Sequence, residues 1–323
     1  MAFDRILVPL DGSQLAEESL AHAARFARAY HAKLFLLRVL DVQNQHAALR
    51  HAPEDLDWRL YKAQVIHYLN SLTDRLAGKG IDVESRMVEG RAPDQIVEFV
   101  RGNRIDLVVL CAYGWGGVSE FPFGGTVQKI IAGPEASVMI VRPTQGGGAK
   151  QAHYGRILIP LDGSQRAAWA VSLISGMVDG ANPEVILLHV VCAPDMPRTR
   201  PLTCEEAELR SKLVECNLRA AAAYLEEIKR RFSGRLSIRT RLEVSPHIVD
   251  TIEQVADAEN VDLIALTVHG ESGPAARSNG TVCRSVVMFA SRPVLMLQDS
   301  PARYRDSSQP PTADWMERKI CAS

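Results

Sequence analysis

A chain of 323 residues with a formal net charge of -1 and 23% charged residues carries no long-range field that would recruit nucleic acid or an anionic membrane. Its 46% hydrophobic content is that of an ordinary globular protein, and its length exceeds the roughly 100 to 150 residues typical of one domain. The longest apolar runs, such as residues 185–191, fall far short of the ~20 residues of a membrane span, and Pro9 and Asp11 come before a signal-peptide core could form; a cytoplasmic protein is expected.

Along the chain, short β-branched runs alternate with long amphipathic stretches, the pattern of βαβ units around a parallel sheet. Strands are predicted at 5–9, 33–40, 82–89, 106–112 and 137–142. The first helix starts at Ser13, a good N-cap, with Leu15, Leu20, Ala23, Ala24 and Phe26 marking its buried face. Others are predicted at 55–77, 92–101 and 127–133. A Gly-rich connector follows at 144–151, and then the order repeats, with strands at 156–160, 185–191, 237–243, 262–267 and 294–297. Thr203 and Glu206 have capping-box spacing and open a helix expected to reach about residue 232, its many charges forming a solvated face. Past Asp299 comes a polar tail with Pro310-Pro311 and a short helix from Thr312 that carries Trp315, Met316 and Ile320. The six cysteines show no Cys-x-x-Cys or Cys/His cluster, so neither a metal site nor a disulfide framework is expected, and Cys111 and Cys192 are read as small core residues.

The repetition is explicit in sequence. Arg5-Ile-Leu-Val-Pro-Leu-Asp-Gly-Ser-Gln14 returns as Arg156-Ile-Leu-Ile-Pro-Leu-Asp-Gly-Ser-Gln165, with one conservative change. The offset is 151 through the second strand, where Val39 matches Val190, and 156 by the fourth, where Asp106 matches Asp262. Two domains, 1–143 and 154–299, follow, with a linker at 144–153 and a tail at 300–323.

In an open parallel sheet, ligands bind beyond the carboxyl ends of the strands, where strand order reverses, so the segments after strands one and four carry the chemistry. After strand one, Asp11-Gly12-Ser13 leads into a helix whose free N–H groups and dipole suit an anion or polar ligand. After strand four, Tyr113-Gly114-Trp115-Gly116-Gly117 leads to Gly124-Gly125-Thr126, and His269-Gly270-Glu271-Ser272-Gly273 to Asn279-Gly280-Thr281. Glycines admit backbone N–H groups close to a phosphate, and Gly-Thr at a helix start adds a hydroxyl. Neither a Walker loop nor a Rossmann Gly-x-Gly-x-x-Gly is present. Glu271 would repel a bound phosphate at close range, which sets the second loop apart from the first.

These motifs, with Leu187-Leu188-His189-Val190-Val191, Asp-Leu-Ile/Val in strand four and His-Gly followed nine residues later by Gly-Ser/Thr, resemble the universal stress proteins in tandem two-domain form. The resemblance covers about residues 3–143 and 154–298. It implies an α/β fold: two doubly wound, Rossmann-like five-stranded parallel sheets of order 3-2-1-4-5, paired through their last strands as an intrachain pseudo-dimer. It also implies adenine-nucleotide binding, as many members bind ATP and another branch does not. The adenosine end would meet Pro9, Asp11, Val39 and Leu110 in the first half and Pro160, Asp162, Val190 and Leu266 in the second. Phosphates would lie on Gly114, Gly117, Gly124, Gly125 and Thr126, or on Gly270, Gly273, Gly280, Thr281 and Val282. The expected ligand is ATP, with or without Mg, and the expected role is stress response or signalling through binding, with no catalytic residues and no efficient turnover. The alternative is a stress-response scaffold that does not bind nucleotide, and a slow ATPase ranks third. A homodimer is a further expectation, with no nucleic-acid or membrane partner and the protein partner unidentified.

Overall fold

The computed structural model describes residues 3–41, 56–113, 124–132, 136–142, 152–177, 183–193, 201–232, 234, 236–268 and 281–298. The Gly-rich connector, the C-terminal helix expected from Thr312 and both glycine-rich loops lie outside these residues.

The first half runs β1 (Arg5–Leu10), α1 (Gln14–Tyr30), β2 (Lys33–Leu40), α2 (Leu56–Ala77), β3 (Val83–Glu89), α3 (Ala92–Gly102), β4 (Leu107–Cys111), α4 (Gly125–Ala132) and β5 (Ser137–Val141). The second runs β6 (Arg156–Pro160), α5 (Gln165–Ser175), β7 (Glu184–Val191), α6 (Cys204–Phe232), β8 (Ser237–Val244), α7 (Ile248–Ala258), β9 (Leu263–Thr267), α8 (Thr281–Phe289) and β10 (Val294–Leu297). Helix α4 starts two residues earlier than its periodicity suggests, because Gly125 and Thr126 form its first turn ahead of the apolar Val127.

All ten strands form one sheet of order β3-β2-β1-β4-β5-β10-β9-β6-β7-β8. Within each half the strands are parallel and keep the order 3-2-1-4-5. The junction is the one antiparallel pair among them, β5 with β10, in the register Val294↔Ile140, Leu295↔Met139 and Met296↔Val138. The central strands are apolar without alternation because helices cover both faces, as in parallel sheets generally.

Two core layers result. On one face, α1, α2, α5 and α6 pack a cluster that runs unbroken across the junction; on the other lie α3, α4, α7 and α8. Tyr154, 1% exposed, sits between the halves: its hydroxyl lies 2.6 Å from His22 Nδ1, and its ring meets Phe26 and the Arg25 guanidinium. The Tyr30 hydroxyl donates to the Leu173 carbonyl across the same seam. Gly176 allows that approach, since a Cβ there would stand 3.0 Å from Tyr30 Cε1. Burial, helped by the neighbouring Arg25 charge, pushes His22 down to a pKa of about 4, so it is neutral at pH 7.

The Asp of the strand-four motif is a brace at the amino edge. Asp106 Oδ2 accepts from the Asp4 and Arg5 amides, each at 2.9 Å; Asp262 Oδ2 accepts from Gly155 at 2.8 Å and Arg156 at 2.9 Å. The capping box is formed: Thr203 N–H donates to Glu206 Oε2 at 2.9 Å, and Glu206 N–H to Thr203 Oγ1 at 3.2 Å. Helix α6 then runs from Cys204 without a buried side chain until Ala221, which fits the solvated face read from its charges. Cys111 is buried as expected, whereas Cys192 is exposed, because it lies just past the end of β7.

Candidate functional site

Strand β1 pairs with β2 as far as Leu10↔Arg38, but with β4 only through Leu7↔Val108. Beyond Leu7 the strands part, which opens the crevice characteristic of a doubly wound sheet. Pro9 falls where it does for this reason. The Arg5 carbonyl accepts from the Asp106 amide at 2.9 Å on the β4 side. Alternation along the strand turns the Pro9 backbone to that same side, past the last ladder pair, where a missing N–H forfeits nothing. In the second half β6 and β9 pair only through Leu158↔Ile264, and Pro160 repeats the placement. The proline in the repeated motif therefore marks the switch point itself.

The same alternation sets the crevice walls. Pro9, Val39 and Leu110 share the face of Leu7, Leu37 and Val108; Leu110 is 5% exposed, while Pro9 and Val39 are half-buried at the open end. Pro160, Val190 and Leu266 reproduce this set. Gly12 (φ +83°) and Gly163 (φ +91°) occupy the left-handed region that turns the chain from strand to helix, a conformation that favours glycine. Asp11 Oδ1 accepts from Ser13 N–H at 2.9 Å and Ser13 Oγ at 2.6 Å, and Ser13 Oγ in turn caps Ala16 N–H at 3.1 Å. Asp162 Oδ1 accepts from Ser164 N–H at 3.0 Å. One carboxylate oxygen thus shapes each turn.

Of the expected phosphate residues, Gly124, Gly125 and Thr126 lie at the same carboxyl edge, where the Gly124 amide donates to the Ala112 carbonyl at 3.3 Å. Thr281 and Val282 open α8 in the second half, Val282 half-buried. Gly114, Gly117, Gly270, Gly273 and Gly280 lie outside the described residues. Two clefts among the described residues lie elsewhere. One of about 580 Å³ lies between α3 and α4, against Asp94, Glu98, Arg101 and Lys129; one of about 510 Å³ lies along α6, against Leu202, Arg210 and Leu218. Neither lining includes a predicted site residue.

Sequence reasoning missed the groups behind the turns. Arg38 lies over Gly12 and donates to the Leu10 carbonyl at 3.2 Å and to the Tyr61 hydroxyl at 3.3 Å. Nearby, Tyr68 donates to Glu17 at 3.0 Å, and Arg75 pairs with the other Glu17 oxygen at 3.3 Å. In the second half His189 takes the place of Arg38 and is hydrogen-bonded with the matching carbonyl, that of Leu161, while its Nδ1 is buried without a partner. Burial lowers the His189 pKa, which favours the neutral ring. Tyr224, which replaces Tyr68, donates to the Ser164 carbonyl at 3.2 Å. A permanent cation thus backs the first turn and an imidazole the second. The signal was in the sequence as a polar mismatch near the carboxyl ends of otherwise similar second strands, Leu-Leu-Arg-Val-Leu against Leu-Leu-His-Val-Val.

At the end of β4, burial raises the Cys111 thiol to about 11, so it stays protonated at neutral pH and is no nucleophile. No group of three or more His, Cys, Asp or Glu able to hold a metal is found among the described residues. No described helix is long and apolar enough to cross a membrane.

Fold and crevices together define a tandem, doubly wound α/β protein with a polar turn and an apolar wall at each of two switch points. The family model described as the universal stress protein family matches residues 2–142 and again 153–298, and the chain belongs to that family. A universal stress protein of Methanocaldococcus jannaschii, MJ0531, is 24% identical over 140 residues, 43% of this chain and 82% of the relative. One from Thermus aquaticus is 27% identical over 141 residues, 43% of this chain and 99% of its own length. The crystal structure of a universal stress protein from Archaeoglobus fulgidus matches with a TM-score of 0.63 at 14% identity, covering 93% of this chain and 97% of that one, and supports the tandem fold.

Proposed function

We propose that this chain binds adenine nucleotide, ATP foremost, at the carboxyl ends of β1/β4 and β6/β9, and acts in stress response or signalling through occupancy rather than turnover. The observation that carries this reading is the crevice built twice: proline, valine and leucine on one face, an aspartate turn beside them, and a helix start at the same edge. An apolar wall suits a base, an aspartate suits ribose or adenine donors, and helix N–H groups suit phosphate. Binding without turnover is supported by the Asp11 oxygen tied to its own turn and by the protonated Cys111, neither of which is poised as a general base or a thiolate.

Two measurements test it. Mass spectrometry of small molecules released on denaturing freshly purified protein should find an adenine nucleotide. Calorimetric titration with ATP should show binding that weakens in Asp11→Ala and Asp162→Ala. Absence of heat at millimolar ATP, with both variants behaving like the parent, would leave the chain a scaffold.

A further inference from the structure

Arg142 stands one residue past β5, at the seam between the halves, and is half-buried there. Its Nη2 donates to the Val287 carbonyl at 2.7 Å and the Met288 carbonyl at 3.2 Å, both in the last turn of α8 in the other half. Carbonyls there have no partner within their helix, and the helix dipole favours a cation beside them. The same guanidinium lies within interaction range of Tyr113, two residues past β4 and directly before Gly114 in sequence. The Ala112 amide donates to the Val141 carbonyl at 2.8 Å, holding the ends of β4 and β5 side by side so that Tyr113 and Arg142 meet. Glu253 of α7 is the acidic group facing the guanidinium. A partly desolvated cation persists only with such partners, so the arrangement is specific rather than incidental.

The matching position of the second half carries no cation. The offset that matches Asp106 with Asp262 matches Arg142 with Gln298, which reaches across the seam with its backbone, donating N–H to Ser137 Oγ at 3.1 Å.

We propose that Arg142 is a positioning residue of the first crevice: anchored on the carboxyl end of α8, it fixes Tyr113 at the crevice lip, so that the second half senses a ligand bound in the first. This rests on the nucleotide reading and goes beyond it by making one crevice dependent on the other half of the chain. Helix α8 begins at Thr281, at the carboxyl edge of the second crevice, so the Arg142 contact ties the lip of one crevice to the far end of a helix that starts at the other. Coupling of this kind is reciprocal: ATP in either crevice changes affinity at the other by the same factor.

The test uses the full chain carrying Asp162→Ala, which confines ATP to the first crevice, with calorimetry for affinity and amide hydrogen exchange for response. In this parent, ATP should slow exchange in α4 and also in α8. Tyr113→Phe removes the hydroxyl and leaves Arg142 on α8. It should weaken ATP binding by about 10-fold, the size of an ordinary coupling between sites, and abolish the ATP-dependent change in α8. Arg142→Gln should do the same; if it fails to fold, Tyr113→Phe still decides. Unchanged affinity in Tyr113→Phe overturns the proposal, as does weakened binding with the α8 response intact. Protection of α4 without α8 in the parent overturns it too and leaves the nucleotide reading standing. No heat and no protection anywhere in the parent refutes the nucleotide reading, and the proposal with it.

Discussion

The amino and carboxyl edges of the sheet tell different stories about the two halves. At the amino edge the backbone braces are equivalent: Asp106 and Asp262 accept the matching pair of amides, and the Arg5 and Arg156 guanidinium groups each donate at 2.8 Å to a helix-end carbonyl, of Asn103 and Glu259, while the neighbouring ion pair keeps its place with its charges exchanged, Lys33–Glu84 against Arg239–Glu184. At the carboxyl edge they differ, with Arg38 against His189, Tyr61 hydrogen-bonded to Arg38, and Arg142 against Gln298. Stability demands are the same in both copies, so the braces and the charge pairing persist at the amino edge; at the carboxyl edge, where ligands bind such sheets, the groups behind the turns differ in kind.

The seam gives the strongest test of that contrast. Tyr154→Ala empties a buried aromatic site shared by both halves and deprives His22 of its partner; it should cost about 3 to 5 kcal/mol. Urea denaturation should show both halves losing stability together, and a second-half effect alone would show that the unbroken core layer does not couple them.

Acidification should act at the same place. The His22 pKa is depressed from 6.5 to about 4, so between these values the unfolded chain binds the proton and the folded chain resists it. The His22 contribution to unfolding free energy should therefore be at its full value above pH 6.5 and fall by about 3 kcal/mol toward pH 4. His189, also depressed, contributes in the same direction. Denaturation midpoints across this range should lose most of their slope in His22→Gln.

At the amino edge, Asp106→Ala and Asp262→Ala each strand two amides and should cost about 1 to 3 kcal/mol apiece. Thermal melts should place the two variants close together, and a wide gap would break the equivalence of that edge. The smallest effect is expected behind the turns. Arg38→Ala removes two hydrogen bonds and should cost about 1 to 2 kcal/mol, while His189→Ala should cost about half as much. Equal losses would mean that the two turns are supported alike.

Much of this architecture was legible in sequence. The repeat, the parallel strands, the Ser13 cap and the Thr203/Glu206 box rest on local chemistry, and local chemistry is what spacing and residue type report. Pro9, Val39 and Leu110 were named in sequence only through the family resemblance; that they share one face is what strand alternation adds once the strand order is in hand. The groups that act across long sequence separations were hidden. Arg38 was a polar residue within one predicted strand and Arg142 the last residue of another, predicted at 137–142; each acquires meaning only when α2 or α8 is packed against it. Tyr154, in the stretch before β6, gave no sign that α1 of the other half would bury it.

Antiparallel pairing of β5 with β10 is what two identical molecules would form about a twofold axis. In such a dimer every contact is made twice, so a residue that helps one side must be tolerated in its mirror position. Joining the partners in one polypeptide lifts that obligation, and an arginine in one half with a glutamine at the matching position of the other is the kind of one-sided innovation that only a covalently fused pair is free to keep.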